Sequence, residues 1–241
     1  MFGKLSLGVT CFIITWSLLA PQHLHARQAL PLSGAPLDSL EAAIFSSEGT
    51  DKVDVLNALS WSIKFSNPTR SYLLANQAHE LSKSLSYPLG IVYAIKHMGI
   101  ARTNQGRYRE ALSLIFEEIE MRKDMQDTLG IAVANNNIGY ILRQQKNYDL
   151  ALEYFRRSLE LSADAVHIPN VRALTLNSVG HIYRMQGNYD KSEQAHLESL
   201  EVLDEVKRSD FARATTLNNL GKLYLEQDQY RRALRYFFAP A

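Results

Sequence analysis

The sequence holds a single cysteine, Cys11, so no disulfide can form within the chain and no cysteine–histidine zinc cluster can be assembled. Seven prolines and twelve glycines in 241 residues are too few for a collagenous or low-complexity chain. Neither sign of charge is in excess: 26 Lys and Arg face 25 Asp and Glu, a formal net charge of +1. A domain that binds nucleic acid in bulk carries a basic surplus, so this balance argues against that class. Also missing are a phosphate-cradling glycine loop, G-x-S-x-G, H-E-x-x-H and an EF-hand loop. Glu193-x-x-His196 has the spacing of carboxylate metal sites, but it occurs once and without companion glutamates, so His196 reads as a packing residue. No catalytic, cofactor or metal site is therefore expected, and the chain is not read as an enzyme. With 46% apolar and 21% charged residues, what remains is a globular, helix-rich protein.

A long apolar run occurs at the start. Lys4 is followed by sixteen uncharged residues, 5–20, ending before Pro21, and the next charge is Arg27. A positive start, an apolar run and a small residue soon after have the form of a secretory signal peptide, here residues 1–26 with cleavage after Ala26, or else after Ala29. The mature chain is then exported, periplasmic or secreted, and free of thiols. The alternative is a retained membrane anchor at residues 5–20, although that run falls short of the roughly 20 residues needed to span a bilayer. Residues 27–51 read as a linker followed by a short capping helix near Leu37–Phe45.

The remainder is periodic. Gln105-Gly106-Arg107-Tyr108, Gln145-Lys146-Asn147-Tyr148, Gln186-Gly187-Asn188-Tyr189 and Gln227-Asp228-Gln229-Tyr230 place their tyrosines 40, 41 and 41 residues apart. Nine residues before each tyrosine stands a glycine (Gly99, Gly139, Gly180, Gly221), and three after it a small residue (Ala111, Ala151, Ser192, Ala233). Apolar residues recur at helical spacing on both sides, as in Ile131, Ala134, Ile138, Ile141, Leu142 and then Tyr148, Ala151, Leu152, Phe155, Leu159. Each unit is thus a helix A, a tight turn with Gly106 or Gly187 suited to the left-handed conformation, and a helix B. A more diverged unit at 52–84 puts Ser60 in the glycine column and Asn67-Pro68 at the turn.

These columns resemble the tetratricopeptide repeat (TPR) family: Ile138, Gly139, Leu142, Ala151 and Phe155 match its pattern, as do Val179, Gly180 and Tyr183. Ser192, His196 and Arg102 depart from it, Arg102 standing where the family has a bulky apolar residue. The period of 40–41 is similar to the longer-helix variants found in motor-protein light chains, adaptors and exported or membrane-tethered bacterial regulators. The resemblance implies an all-α, right-handed superhelical solenoid of antiparallel helix pairs. About five repeats are expected, at 52–86, 87–126, 127–166, 167–207 and 208–241, the last incomplete.

Such an array binds through its concave face. Three residues before the glycine column stand Asn57, Lys96, Asn136, Asn177 and Asn218, an amide column that helix propensity does not explain. It reads either as a ladder for a peptide backbone or as bonds between repeats that hold their register. Four residues after the glycine column come Lys64, Thr103, Arg143, Arg184 and Leu225, and Lys222 adds to a locally basic groove suited to an acidic segment. The expected partner site is therefore Asn57, Lys64, Lys96, Asn136, Arg143, Asn177, Arg184, Asn218 and Lys222. The family's carboxylate-clamp pattern is met only by Lys96 and the asparagines, which argues against chaperone tails as ligands.

The functional expectation is a non-enzymatic interaction module for a protein or peptide, without cofactor or nucleic acid, touching membrane only through an uncleaved N-terminus. Phe237 and Phe238 close the array without a polar cap, which opens two further expectations. One is self-association through that end. The other is that the chain is the input part of a longer bacterial signalling protein, with a histidine kinase, nucleotide cyclase or DNA-binding output.

Overall fold

The computed structural model describes residues 35–163, 169–204 and 210–239. The expected signal peptide or anchor, and with it Cys11, lies outside the described residues. Among them there are eleven helices and no strand: α1 (Leu37–Ser46), α2 (Gly49–Ser62), α3 (Pro68–Ser84), α4 (Pro88–Asn104), α5 (Tyr108–Asp124), α6 (Thr128–Gln144), α7 (Tyr148–Leu161), α8 (Pro169–Met185), α9 (Tyr189–Asp204), α10 (Asp210–Leu225) and α11 (Tyr230–Phe237). None of them is long and apolar enough to cross a membrane. From α2 onward they form five A/B pairs, and Leu40 of α1 inserts into the core of the first pair beside Val53, Leu56 and Leu59.

The turns explain why each pair folds back on itself. Arg107 N–H donates to Arg102 O at 2.9 Å and Gly106 N–H to Thr103 O at 3.0 Å, which ends α4 in a Schellman motif. Gly106 and Gly187 sit at φ of 73° and 75°, as that motif requires. Lys146 and Asp228 hold the corresponding turns at φ of 60° and 58° despite their side chains, and Gln126 at 55° does the same in the turn that joins α5 to the next pair. Starts are capped too: Asn67 accepts from Arg70 N–H at 3.0 Å ahead of Pro68, and Asp127 accepts from Gly130 N–H at 2.8 Å.

The glycine column marks the A/B crossing, but what fills the vacated space is the residue sixteen positions on. A Cβ on Gly139 would lie 2.6–3.0 Å from the Phe155 ring, and one on Gly180 2.7–2.9 Å from His196. Phe237 meets Gly221 in the same way, while Ile115 sits under Gly99 with more room, 3.3 Å from such a Cβ. Phe155 is fully buried and, with Ile115, Ile138, Ile141 and Ile182, centres the largest core cluster. In the first pair Ser60 and Ser71 replace this packing with reciprocal hydrogen bonds, each Oγ donating to the other's carbonyl at 2.8 Å. Arg102 is accommodated by stacking, its guanidinium carbon 3.5 Å from the Tyr72 ring centroid while Nε pairs with Glu110 at 3.1 Å.

Pairs also pack on pairs, and they do so unequally. The backbones of α2 and α4, α4 and α6, α6 and α8, and α8 and α10 approach closely, whereas among the described residues those of successive B helices stay farther apart. Helices in mutual contact on one side and splayed on the other make a curved array. The A helices therefore line its inner wall.

Candidate functional site on the inner wall

In the column three residues before the glycines, Asn57, Asn136 and Asn177 are turned to the neighbouring pair. Asn57 and Asn177 are each only 5% exposed. Asn57 Nδ2 donates to Gly90 O of the next pair at 3.3 Å. Asn136 Nδ2 donates to Thr175 Oγ at 2.7 Å, and Asn177 Nδ2 to Thr216 Oγ at 2.7 Å and Ser199 Oγ at 3.2 Å. Asn177 Oδ1 is 2.9 Å from Nδ1 of His196, which confirms the packing role of that histidine. These amides latch one A helix to the next. Of the two readings of this column, the structure shows bonds between repeats for Asn57, Asn136 and Asn177, because a short amide between two touching helices reaches the neighbour before it reaches water. Asn218, in the last pair, is exposed.

Lys96 occupies the same junction with different chemistry. Glu118 stands where Ser158 and Ser199 stand in the next two junctions, fully buried, and accepts from Arg122 Nε at 2.7 Å. Arg122 also pairs with Asp127. Burial lowers the Lys96 pKa, Glu118 and Asp127 opposing this and Arg122 adding to it. The second junction is thus ionic where the third and fourth are built from amide and hydroxyls.

The groove itself is lined one and four residues after the glycine column. At its N-terminal end Lys64 Nζ lies 3.5 Å from the Trp61 ring centroid, with Lys96 Nζ 5.5 Å from the same ring. The His97 ring stands 5.6 Å from Trp61. His97 is buried and held neutral, well below the usual histidine range, by desolvation and then by Lys96, Lys64 and Arg122. Further along, His181 lies among Arg143, Arg184 and Lys222. Burial first, then these three cations, lower its pKa to about 4. Arg143 packs 4.9 Å from the Tyr140 ring centroid, and Arg184 pairs with Glu226. The structure therefore brings Arg143, Arg184 and Lys222 together, and sets Lys64 and Lys96 together in a separate aromatic cluster.

Trp61, Tyr140 and His181 were absent from the expected set. A signal for them exists in the column directly after the glycines, Trp61, Ile100, Tyr140, His181 and Lys222, which is rich in aromatic and basic side chains. Among the described residues no group of three or more His, Cys, Asp or Glu is arranged to hold a metal ion.

A solenoid of antiparallel helix pairs with small residues at each crossing defines the class, and the sequence comparisons define the family. Tetratricopeptide repeat profiles match residues 94–129, 130–205 and 171–237, an unbroken stretch of more than half of the sequence; the chain belongs to the tetratricopeptide repeat family. A Tonsoku-like protein of Mus musculus is 35% identical over 65 residues, 27% of this chain but 5% of that protein. BtubC from P. vanneervenii superposes with a TM-score of 0.63 at 17% identity, covering 87% of both chains. NprR in complex with its cognate peptide NprX and a Rap protein complexed with Competence and Sporulation Factor each give a TM-score of 0.67 at 15% identity. Both cover 83% of this chain, and 58% and 67% of their own chains respectively.

Proposed function

We propose that this chain is an interaction module that takes an extended peptide or partner segment along the inner wall of its solenoid, without covalent chemistry. One observation carries the reading. The wall left open by the touching A helices presents a run of aromatic and basic side chains: Lys64, Tyr140, Arg143 and Lys222, together with Trp61 and Arg184, which also bridge to the next pair through His97 and Glu226. Rigid aromatic and guanidinium groups on a concave surface are the side chains that dominate binding energy in protein recognition. NprR, of similar fold, was solved with a peptide bound. A second reading, a scaffold without a ligand, draws support from Asn136 and Asn177, whose amides serve the array itself.

The two readings separate by photocrosslinking. A benzophenone amino acid placed at Trp61 or Tyr140 on the inner wall, or at Phe116 or Leu197 on exposed B-helix surface, is used against peptides selected from a random library. Capture from the inner positions alone, lost in the Arg143→Glu, Arg184→Glu double variant, is the expected result. Equal capture from both faces, or no selected peptide, favours the scaffold.

A further inference from the structure

The cluster around His181 carries an excess of positive charge. Three cations act on His181 from three successive A helices: Arg143 from α6, Arg184 from α8 and Lys222 from α10. Among the described residues the carboxylate paired within the cluster is Glu226, in the turn just after α10, which engages Arg184. Arg143 Nε and His181 Nδ1 are buried atoms without a hydrogen-bond partner. Neighbouring helices lie about 8–10 Å apart, so guanidinium groups on α6 and α8 can reach one ligand atom group between them. His196 of α9 interacts with His181 from an adjoining element, and Arg143 is flanked by Tyr140 of α6, to which its guanidinium also donates, and by Tyr148 of α7. The buried Arg143 Nε–H without an acceptor is costly, and an arriving oxyanion satisfies it, and His181 once protonated, with charge-assisted bonds.

We propose that Arg143, His181, Arg184 and Lys222 form an oxyanion subsite of the groove, receiving a carboxylate or phosphate carried by the bound segment, and that His181 takes up a proton as the anion arrives. The proposal rests on the groove-binding reading and adds to it the chemistry of the ligand. The sign follows from linkage. In the free protein His181 is neutral above about pH 4, because desolvation and the surrounding cations disfavour its charge. A bound anion offsets those cations and lifts the imidazole back toward its ordinary value. Between the two values each binding event gains a proton, and affinity rises as pH falls through that window. His181 also becomes a second donor nitrogen for the ligand once protonated.

The test uses three acetylated and amidated probes on the full chain: a glycine–glutamate copolymer peptide, its glycine–glutamine counterpart, and one with phosphoserine in place of glutamate. Crosslinking from Tyr140 reports whether each probe enters the groove. Affinity for the glutamate probe is expected to exceed that for the glutamine probe and to rise on the order of tenfold from pH 7 to pH 5, a window in which the glutamates stay mostly ionised. Calorimetry in buffers of different ionisation enthalpy is expected to show proton uptake near pH 5.5, absent in His181→Gln. In the unmodified protein the His181 imidazole NMR titration is expected to move upward when the probe is bound, which keeps the test independent of how the variant folds. The tighter of the two anionic probes identifies the group. Equal binding of the glutamate, glutamine and phosphoserine probes, or an unmoved His181 titration with an anionic probe bound, overturns the proposal. Glutamine-probe crosslinking at Tyr140 in that case leaves the groove reading standing. Absence of crosslinking by every probe and every library peptide defeats the groove reading itself.

Discussion

At the scale of single residues, the glycine column separates two kinds of crossing. Gly139 faces the Phe155 ring so closely that a methyl group has no room, whereas Gly99 faces the thinner Ile115. Gly139→Ala is expected to destabilise by about 1–3 kcal/mol, the usual cost of overpacking a core. Gly99→Ala asks Ile115 for a shift of a few tenths of an ångström and gains about 1 kcal/mol of helix propensity, so its net effect should lie near zero. Urea unfolding of both variants checks the contrast, and equal losses would refute the packing account. The aromatic and basic residues of the groove behave differently. Trp61, Tyr140 and Arg143 sit beside the glycine column, yet serve the inner wall, not the crossing.

At the scale of helices and turns, four of the described turns place a side chain where glycine is preferred: Ser86, Gln126, Lys146 and Asp228 all have positive φ. Left-handed backbone costs an L-residue roughly 1–2 kcal/mol, so Lys146→Gly should raise stability by about 0.5–1 kcal/mol once the added freedom of the unfolded chain is subtracted. A thermal melt that moves downward counts against this. The turns were legible in the sequence because the Q-x-x-Y element repeats and because Gly106 and Gly187 stand in it. The helices were legible for a similar reason, since apolar spacing and the 40–41 residue period leave little freedom in how each pair folds. The outward-facing column was not. On a helix of 3.6 residues per turn the positions at −3, +1 and +4 from the glycine fall within about 60° of one another. Which of them meets the next pair depends on the angle between pairs, a property of the assembled array. Asn57, Asn136 and Asn177 therefore stood in the expected partner site and are latches in the structure, while His181 was absent from that set.

For the molecule as a whole, acid is the expected weak point. His196 is fully buried, and desolvation, with smaller contributions from His181 and Arg184, holds its pKa at about 4. A histidine depressed in the folded state stabilises the fold above its unfolded value near 6.5, and that stability drains away as pH falls from there toward 4. Its loss is on the order of 3 kcal/mol when protonation is complete. His196→Phe copies the Phe155–Gly139 crossing and should flatten the fall in melting temperature between pH 6.5 and 4, though it forfeits the bond to Asn177. An unchanged slope would assign the acid sensitivity elsewhere. The uneven packing of inner and outer helices has a mechanical side as well. Tightening the curl meets hard-core repulsion at once, whereas flattening it merely lengthens a few amide–hydroxyl bonds such as those of Asn136 and Asn177, so the coil has the elasticity of a spring with a stop on one side.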